Sequence, residues 1–92
     1  MPKLLVTAEV EDRATWERSF RTHGKLFRGF GFASPALIST NENNEVAVLL
    51  SVEDGATALA TLSSPENVQA MEADGVKRQT VKAFILDKEF SF

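Results

Sequence analysis

The one histidine of this chain, His23, sits in a run of aromatic residues whose spacing is helical. Trp16, Phe20, His23, Phe27 and Phe30 follow one another at steps of four, three, four and three, which places all five on one face of a helix. An imidazole changes charge close to neutral pH, so at the wall of an apolar cavity it can act as a general base or orient a phenolic substrate. The same position equally suits a partly buried ring satisfied by a neighbouring carbonyl or carboxylate, or the exposed edge of a helix. Likewise, Trp16, Phe20, Phe27 and Phe30 either line a cavity for a flat apolar ligand or form packed core.

A second group able to do chemistry is acidic. The hexapeptide VEDRAT at 10–15 returns as VEDGAT at 52–57. With Glu9, the two copies supply the carboxylates Glu9, Glu11, Asp12, Glu53 and Asp54, expected at one end of two central strands. Such a cluster is the kind of donor set that holds a hard cation. Two of the five are better used as helix N-caps, Asp12 and Asp54, whose carboxylates accept otherwise unpaired backbone N–H groups. No histidine or glycine-punctuated loop accompanies the others, so no metal site is expected. The repeat then reads as one strand-to-helix handover given twice.

Other chemistries lack their residues. The chain has no cysteine, which removes thiol nucleophiles, thiolate zinc sites and disulfides. Neither glycine-rich phosphate loop is present, and G-x-S-x-G is absent. No cofactor is expected. A net charge of -3, from 10 basic and 13 acidic residues, does not suit a nucleic-acid backbone. The first ten residues carry only a short apolar run, so neither a signal peptide nor a membrane span is expected and a cytoplasmic location follows.

These residues need a scaffold. Ninety-two residues, 43% hydrophobic and 25% charged, suit one domain over 1–92 with a thin core. KLLVTAEV (3–10) reads as a strand, ended by Glu11 and Asp12, and the aromatic segment reads as one helix ending near Gly29 or Gly31. FASPALISTN is a weaker strand, with Pro35 confining it to an edge or a bulge, and NENN (41–44) is a hairpin loop. EVAVLLSVE (45–53) is the best-marked strand. A second helix begins at Ala56, breaks at Ser64-Pro65-Glu66 and stops at DGV (74–76), and a final strand covers Thr80 to Glu89. The order β-α-β-β-α-β is the ferredoxin-like α+β arrangement, an antiparallel-type sheet with both helices on one face. Strands one and three are expected side by side and parallel at its centre.

The strands carry apolar residues on both faces. Val46, Val48, Leu50 and Val52 oppose Ala47 and Leu49; Ala83 and Ile85 oppose Phe84 and Leu86; Leu4 and Val6 oppose Leu5. Two helices cover one face only, so the other calls for a second copy of the chain, in a homodimer closed by an isologous contact. The strands EVAVLL and VKAFIL, the aromatic first helix and the helix SPENVQAMEADGV together resemble the dimeric α/β-barrel superfamily. That superfamily contains antibiotic-biosynthesis-monooxygenase-like domains, muconolactone isomerases and stress-responsive barrel proteins. The resemblance implies a small-molecule pocket between sheet and helices, and cofactor-independent oxygenation of phenolic or quinone-like rings, or isomerisation. It does not extend to the haem-degrading branch, whose asparagine, tryptophan and histidine set finds no match here. A non-catalytic homodimeric binding module is the alternative.

Overall fold

The computed structural model describes all 92 residues. Strand β1 (Lys3–Glu9) points Leu4, Val6 and Ala8 into the core, and helix α1 (Arg13–Phe20) follows immediately. Asp12, in extended conformation, starts that helix: its carboxylate accepts the Thr15 N–H at 2.9 Å and the Thr15 hydroxyl at 2.7 Å. The aromatic segment is two helices, where the spacing predicted one. α1 ends because the last turn tightens to i→i−3 bonding: Thr22 N–H donates to the Ser19 carbonyl, His23 N–H donates to that of Phe20, and the Thr22 hydroxyl takes the Ser19 carbonyl at 2.6 Å. Helix α2 (Gly24–Gly29) then restarts with His23 at its cap position. At Gly31, φ is +82°, a left-handed turn that needs no Cβ and sends the chain into strand β2 (Phe32–Thr40).

The second half repeats the scheme. Asn41 folds its side-chain oxygen onto the N–H groups of Asn43 and Glu45, and Asn44 takes positive φ, so the hairpin closes into strand β3 (Glu45–Val52). Asp54 caps helix α3 (Gly55–Leu62) as Asp12 caps α1, accepting from Thr57 N–H at 3.0 Å. Ser64 and Pro65 open helix α4 (Pro65–Ala73), the break that the sequence predicts. Gly75, at φ +79°, ends it. A 3₁₀ turn (Arg78–Thr80) leads into strand β4 (Lys82–Leu86), shorter than the expected Thr80–Glu89. Its start is lost because the Thr80 hydroxyl accepts the Glu9 N–H and donates to the Lys77 carbonyl. Beyond Leu86 its neighbour runs out, since Leu86 pairs with Lys3, the first residue of β1.

The four strands form one sheet in the order β2-β3-β1-β4, with every pair antiparallel. This corrects the expected parallel contact between β1 and β3. Each helical pair returns the chain across the sheet, so β1 and β2 run the same way, and the tight hairpin then reverses β3 before it inserts between them. The two handovers therefore lie at opposite ends of the sheet: Glu9 faces Glu45 at one end and Lys3 faces Ser51 at the other. The five acids do not gather, and nowhere do three metal-ligating side chains come together. β2 is an edge strand, with a register break between Ala33 and Leu37 that contains Pro35.

On the helix-covered face, Leu4, Val10, Trp16, Val46, Leu50 and Val52 form the core. The open face carries an apolar row that crosses all four strands. Phe84 lies opposite Leu5, Leu5 opposite Leu49, and Leu49 opposite Leu37. Phe84 is 50% exposed and Leu37 62%.

Candidate functional site

Between the sheet and the helices lies an apolar cavity of about 80 Å³. β1 and β3 form its floor through Leu4, Val6, Val48 and Leu50, while Trp16, Phe20 and Phe27 close it on one side and Met71 of α4 on another. The three aromatic rings follow one another in contact: Trp16 stacks on Phe20 at 4.8 Å between centroids, and Phe27 packs tilted at 45° against Phe20 at 5.1 Å. Trp16 is 3% exposed, so it is a structural wall as well as a lining. Phe30 lies off this cavity and packs edge-on against Phe32 at 5.6 Å.

His23 also lines the cavity, at the junction of α1 and α2, with its ring edge-on to Phe27. Its Nε2 stands 3.0 Å from both carboxylate oxygens of Asp74, the residue that follows α4. An ionised carboxylate only accepts, so Nε2 carries the hydrogen and donates it. In the neutral ring the free acceptor is then Nδ1, which has no partner within the chain. Asp74 is itself buried and takes a second donor, the hydroxyl of Ser19. Its charge is thus held by two hydrogen bonds from the first helical pair, which is what allows a carboxylate to sit inside this fold. Of the cavity's remaining polar groups, the buried Asn67 donates its amide to the Leu62 carbonyl across the α3–α4 break.

Asp74 and Ser19 carry no mark in the sequence. Asp74 reads there only as part of the helix stop DGV, and its partner His23 is 51 residues away. The one available signal is its place beside a glycine with positive φ, which turns the helix end back toward β1 through the Val10–Val76 bridge. That closure carries the carboxylate to α1.

Solved structures with this arrangement are numerous. A candidate antibiotic biosynthesis monooxygenase from Bordetella bronchiseptica superposes with a TM-score of 0.76 at 9% identity, covering 97% of both chains. This chain has the antibiotic biosynthesis monooxygenase fold. SnoaB of Streptomyces nogalater, a cofactor-independent oxygenase, superposes at 0.67 with 16% identity over 98% of this chain and 94% of its own. The monooxygenase of ActVA-Orf6 from Streptomyces coelicolor, solved with Nanaomycin D, superposes at 0.61 with 18% identity over 99% and 89%. At these identities the likeness is one of fold. No protein-family model matches the chain, and comparison with curated proteins finds no match in sequence.

Proposed function

We propose that the protein binds a small aromatic molecule in the cavity between helices and sheet, and that His23 takes a proton from it. The observation that carries this reading is the Asp74–His23 pair at the edge of a largely apolar cavity. A carboxylate fixing one imidazole nitrogen leaves the other in place as a base. A phenol would lose its O–H proton to Nδ1 and keep the electron pair as a phenolate, the electron-rich form from which oxygenation or isomerisation begins. In an oxygenation the ring supplies the electrons: one oxygen atom of dioxygen stays as a quinone carbonyl and the other leaves as water. That requires no added cofactor, which agrees with the chemistry named for SnoaB. Trp16, Phe20 and Phe27 shape the cavity, and Phe30 supports Phe32 behind it.

The working unit in this reading is a cytoplasmic homodimer of one domain spanning 1–92, joined through the row Phe84-Leu5-Leu49-Leu37. A second reading, a non-catalytic homodimeric module, is favoured by one observation, the size of the cavity. An engineered cavity that holds benzene measures about 150 Å³, and ligand sites commonly exceed about 300 Å³. The two readings separate in one experiment. A thermal-shift screen with 1-naphthol and anthrone, followed by oxygen uptake, is expected to show binding by wild type and binding without turnover by His23→Ala, whose unliganded melting temperature falls because the buried Asp74 keeps only the Ser19 hydroxyl as donor. No stabilisation of wild type by any phenol, or stabilisation without oxygen uptake, would leave the binding-module reading in possession, and equal turnover by His23→Ala would remove His23 from the reaction.

A further inference from the structure

Helix α4 lays one face along the cavity. Asn67, Ala70, Met71 and Asp74 follow at steps of three, one and three, and all four line it. Asn67 and Asp74 stand two helical turns apart on that face, about 10.5 Å along the axis at 1.5 Å per residue. The Asp74 end holds His23, and the Asn67 end lies at the α3–α4 break. The cavity therefore has a polar group toward each end of α4 and apolar walls between them.

Asn67 is 5% exposed, and only half of its amide is used. Nδ2 donates to the Leu62 carbonyl at 3.2 Å, which fixes the orientation of the group, because the amide oxygen in that place would face another oxygen. Oδ1, on the other arm, accepts from no N–H or O–H of the chain; the backbone N–H of Asn67 itself is directed to the Ser64 hydroxyl. Yet no buried side-chain oxygen or nitrogen of the molecule is sealed off without a partner. Oδ1 consequently opens onto the cavity that Asn67 lines, and its donor must come with whatever fills that space.

We infer that Asn67 is a ligand-binding residue, whose Oδ1 accepts a hydrogen bond from a donor group that the bound molecule carries at the end remote from His23. This inference rests on the reading of the cavity given above and narrows its ligand to a phenol with a second O–H or N–H across the ring. One hydroxyl meets Nδ1 of His23 and the other donor meets Oδ1 of Asn67. A molecule that offers a methyl group in place of the second donor buries the amide oxygen against carbon and loses affinity. Apolar walls acting alone would do the opposite and favour the methyl group for its larger apolar surface.

The test uses benzene-1,4-diol and 4-methylphenol, which differ by a hydroxyl against a methyl group of similar size, titrated by calorimetry under nitrogen against wild type and Asn67→Leu. The variant keeps the branched outline of the side chain and removes both polar atoms; its melting temperature falls because the Leu62 carbonyl loses its donor, and titrations are run well below it. Wild type is expected to bind the diol about tenfold more tightly than 4-methylphenol, and 4-aminophenol, with an N–H donor in the same place, should follow the diol. Asn67→Leu should reverse the order. A wild type that binds 4-methylphenol as tightly as the diol, or a variant that keeps the preference for the diol, overturns the inference and leaves the cavity reading standing. The wild-type order decides alone should the variant fail to fold. Failure of all three probes and of 1-naphthol to bind wild type removes the cavity reading and this inference together.

Discussion

At the scale of single residues, the capping aspartates Asp12 and Asp54 and the buried Asp74 behave oppositely toward the sequence. Asp12 and Asp54 are legible because their chemistry is local: each carboxylate meets a threonine three residues on. Those hydrogen bonds, from the threonine side chain first and its backbone N–H second, hold both carboxyl groups below the usual value of 3.8. A carboxyl group with a lowered folded-state pKa adds stability that is present above 3.8 and is lost as pH falls through the folded value. The double variant Asp12→Asn, Asp54→Asn keeps the caps but should show a flatter melting temperature below about pH 4, where wild type declines. Melting curves between pH 2.5 and 7 at fixed ionic strength check this, and parallel profiles for the two proteins would contradict it. Asp74 was not legible, because a pair 51 residues apart has no periodicity to betray it. Asp74→Ala strips two donors of their acceptor in a buried place, and a loss of about 1–3 kcal/mol is expected. Urea denaturation measures it, and a Ser19→Ala variant should lose less, since Ser19 contributes only one of the two bonds.

At the scale of elements, strong local signals were readable and weak ones were overridden. Ser64, Pro65 and Glu66 mark the start of α4 by capping, by a fixed φ and by charge at the helix N-terminus, and the structure follows them. The break at residues 21–23 rests on the Thr22 hydroxyl competing for a carbonyl, an effect too small to stand out against a good aromatic period. Two short helices in sequence still deliver Trp16, Phe20 and Phe27 to one cavity, so the stripe survives the break. Trp16→Ala removes the most buried of these rings and should cost about 3–5 kcal/mol. Against a total of about 5–14 kcal/mol for a chain of this length, many preparations of that variant would be partly unfolded at 37 °C. Gly75→Ala is a finer probe of the helix end. A Cβ there has room, 3.6 Å from Glu11, but the left-handed backbone costs an alanine about 1–2 kcal/mol. The expected loss is about 4–8 °C in melting temperature per kcal/mol, and an unchanged melting temperature would show that this turn can relax.

At the scale of the whole molecule, the element order was readable from punctuation and patterning, while strand direction was not. Apolar runs identify β1 and β3 as central, yet only the closure of two helical crossovers and one hairpin decides that they oppose each other. The open face was legible for the same reason that the core was. Its row of Phe84, Leu5, Leu49 and Leu37 is what alternate positions of four strands spell out once the register is known. Leu49→Glu places a charge at the middle of that row. Light scattering at micromolar concentration should show a particle of twice 10.1 kDa for wild type and a monomer for the variant. A wild-type mass of 10.1 kDa would remove the argument from the open face.

The strand order β2-β3-β1-β4 carries one more consequence. β1 touches β3 and β4 but not β2, and β3 touches β1 and β2 but not β4, so neither half of the chain owns a pair of neighbouring strands. Cut within the loop Asn41–Asn44, the polypeptide becomes two complementary pieces, each lacking a sheet until it meets the other. Joined instead from the end of β4 to the start of β1, which are neighbours because Lys3 pairs with Leu86, it becomes a ring that can be reopened at that loop without separating any paired strands. The duplicated hexapeptide thus marks two interlocked strand-helix-strand units, neither of which is a small domain in its own right.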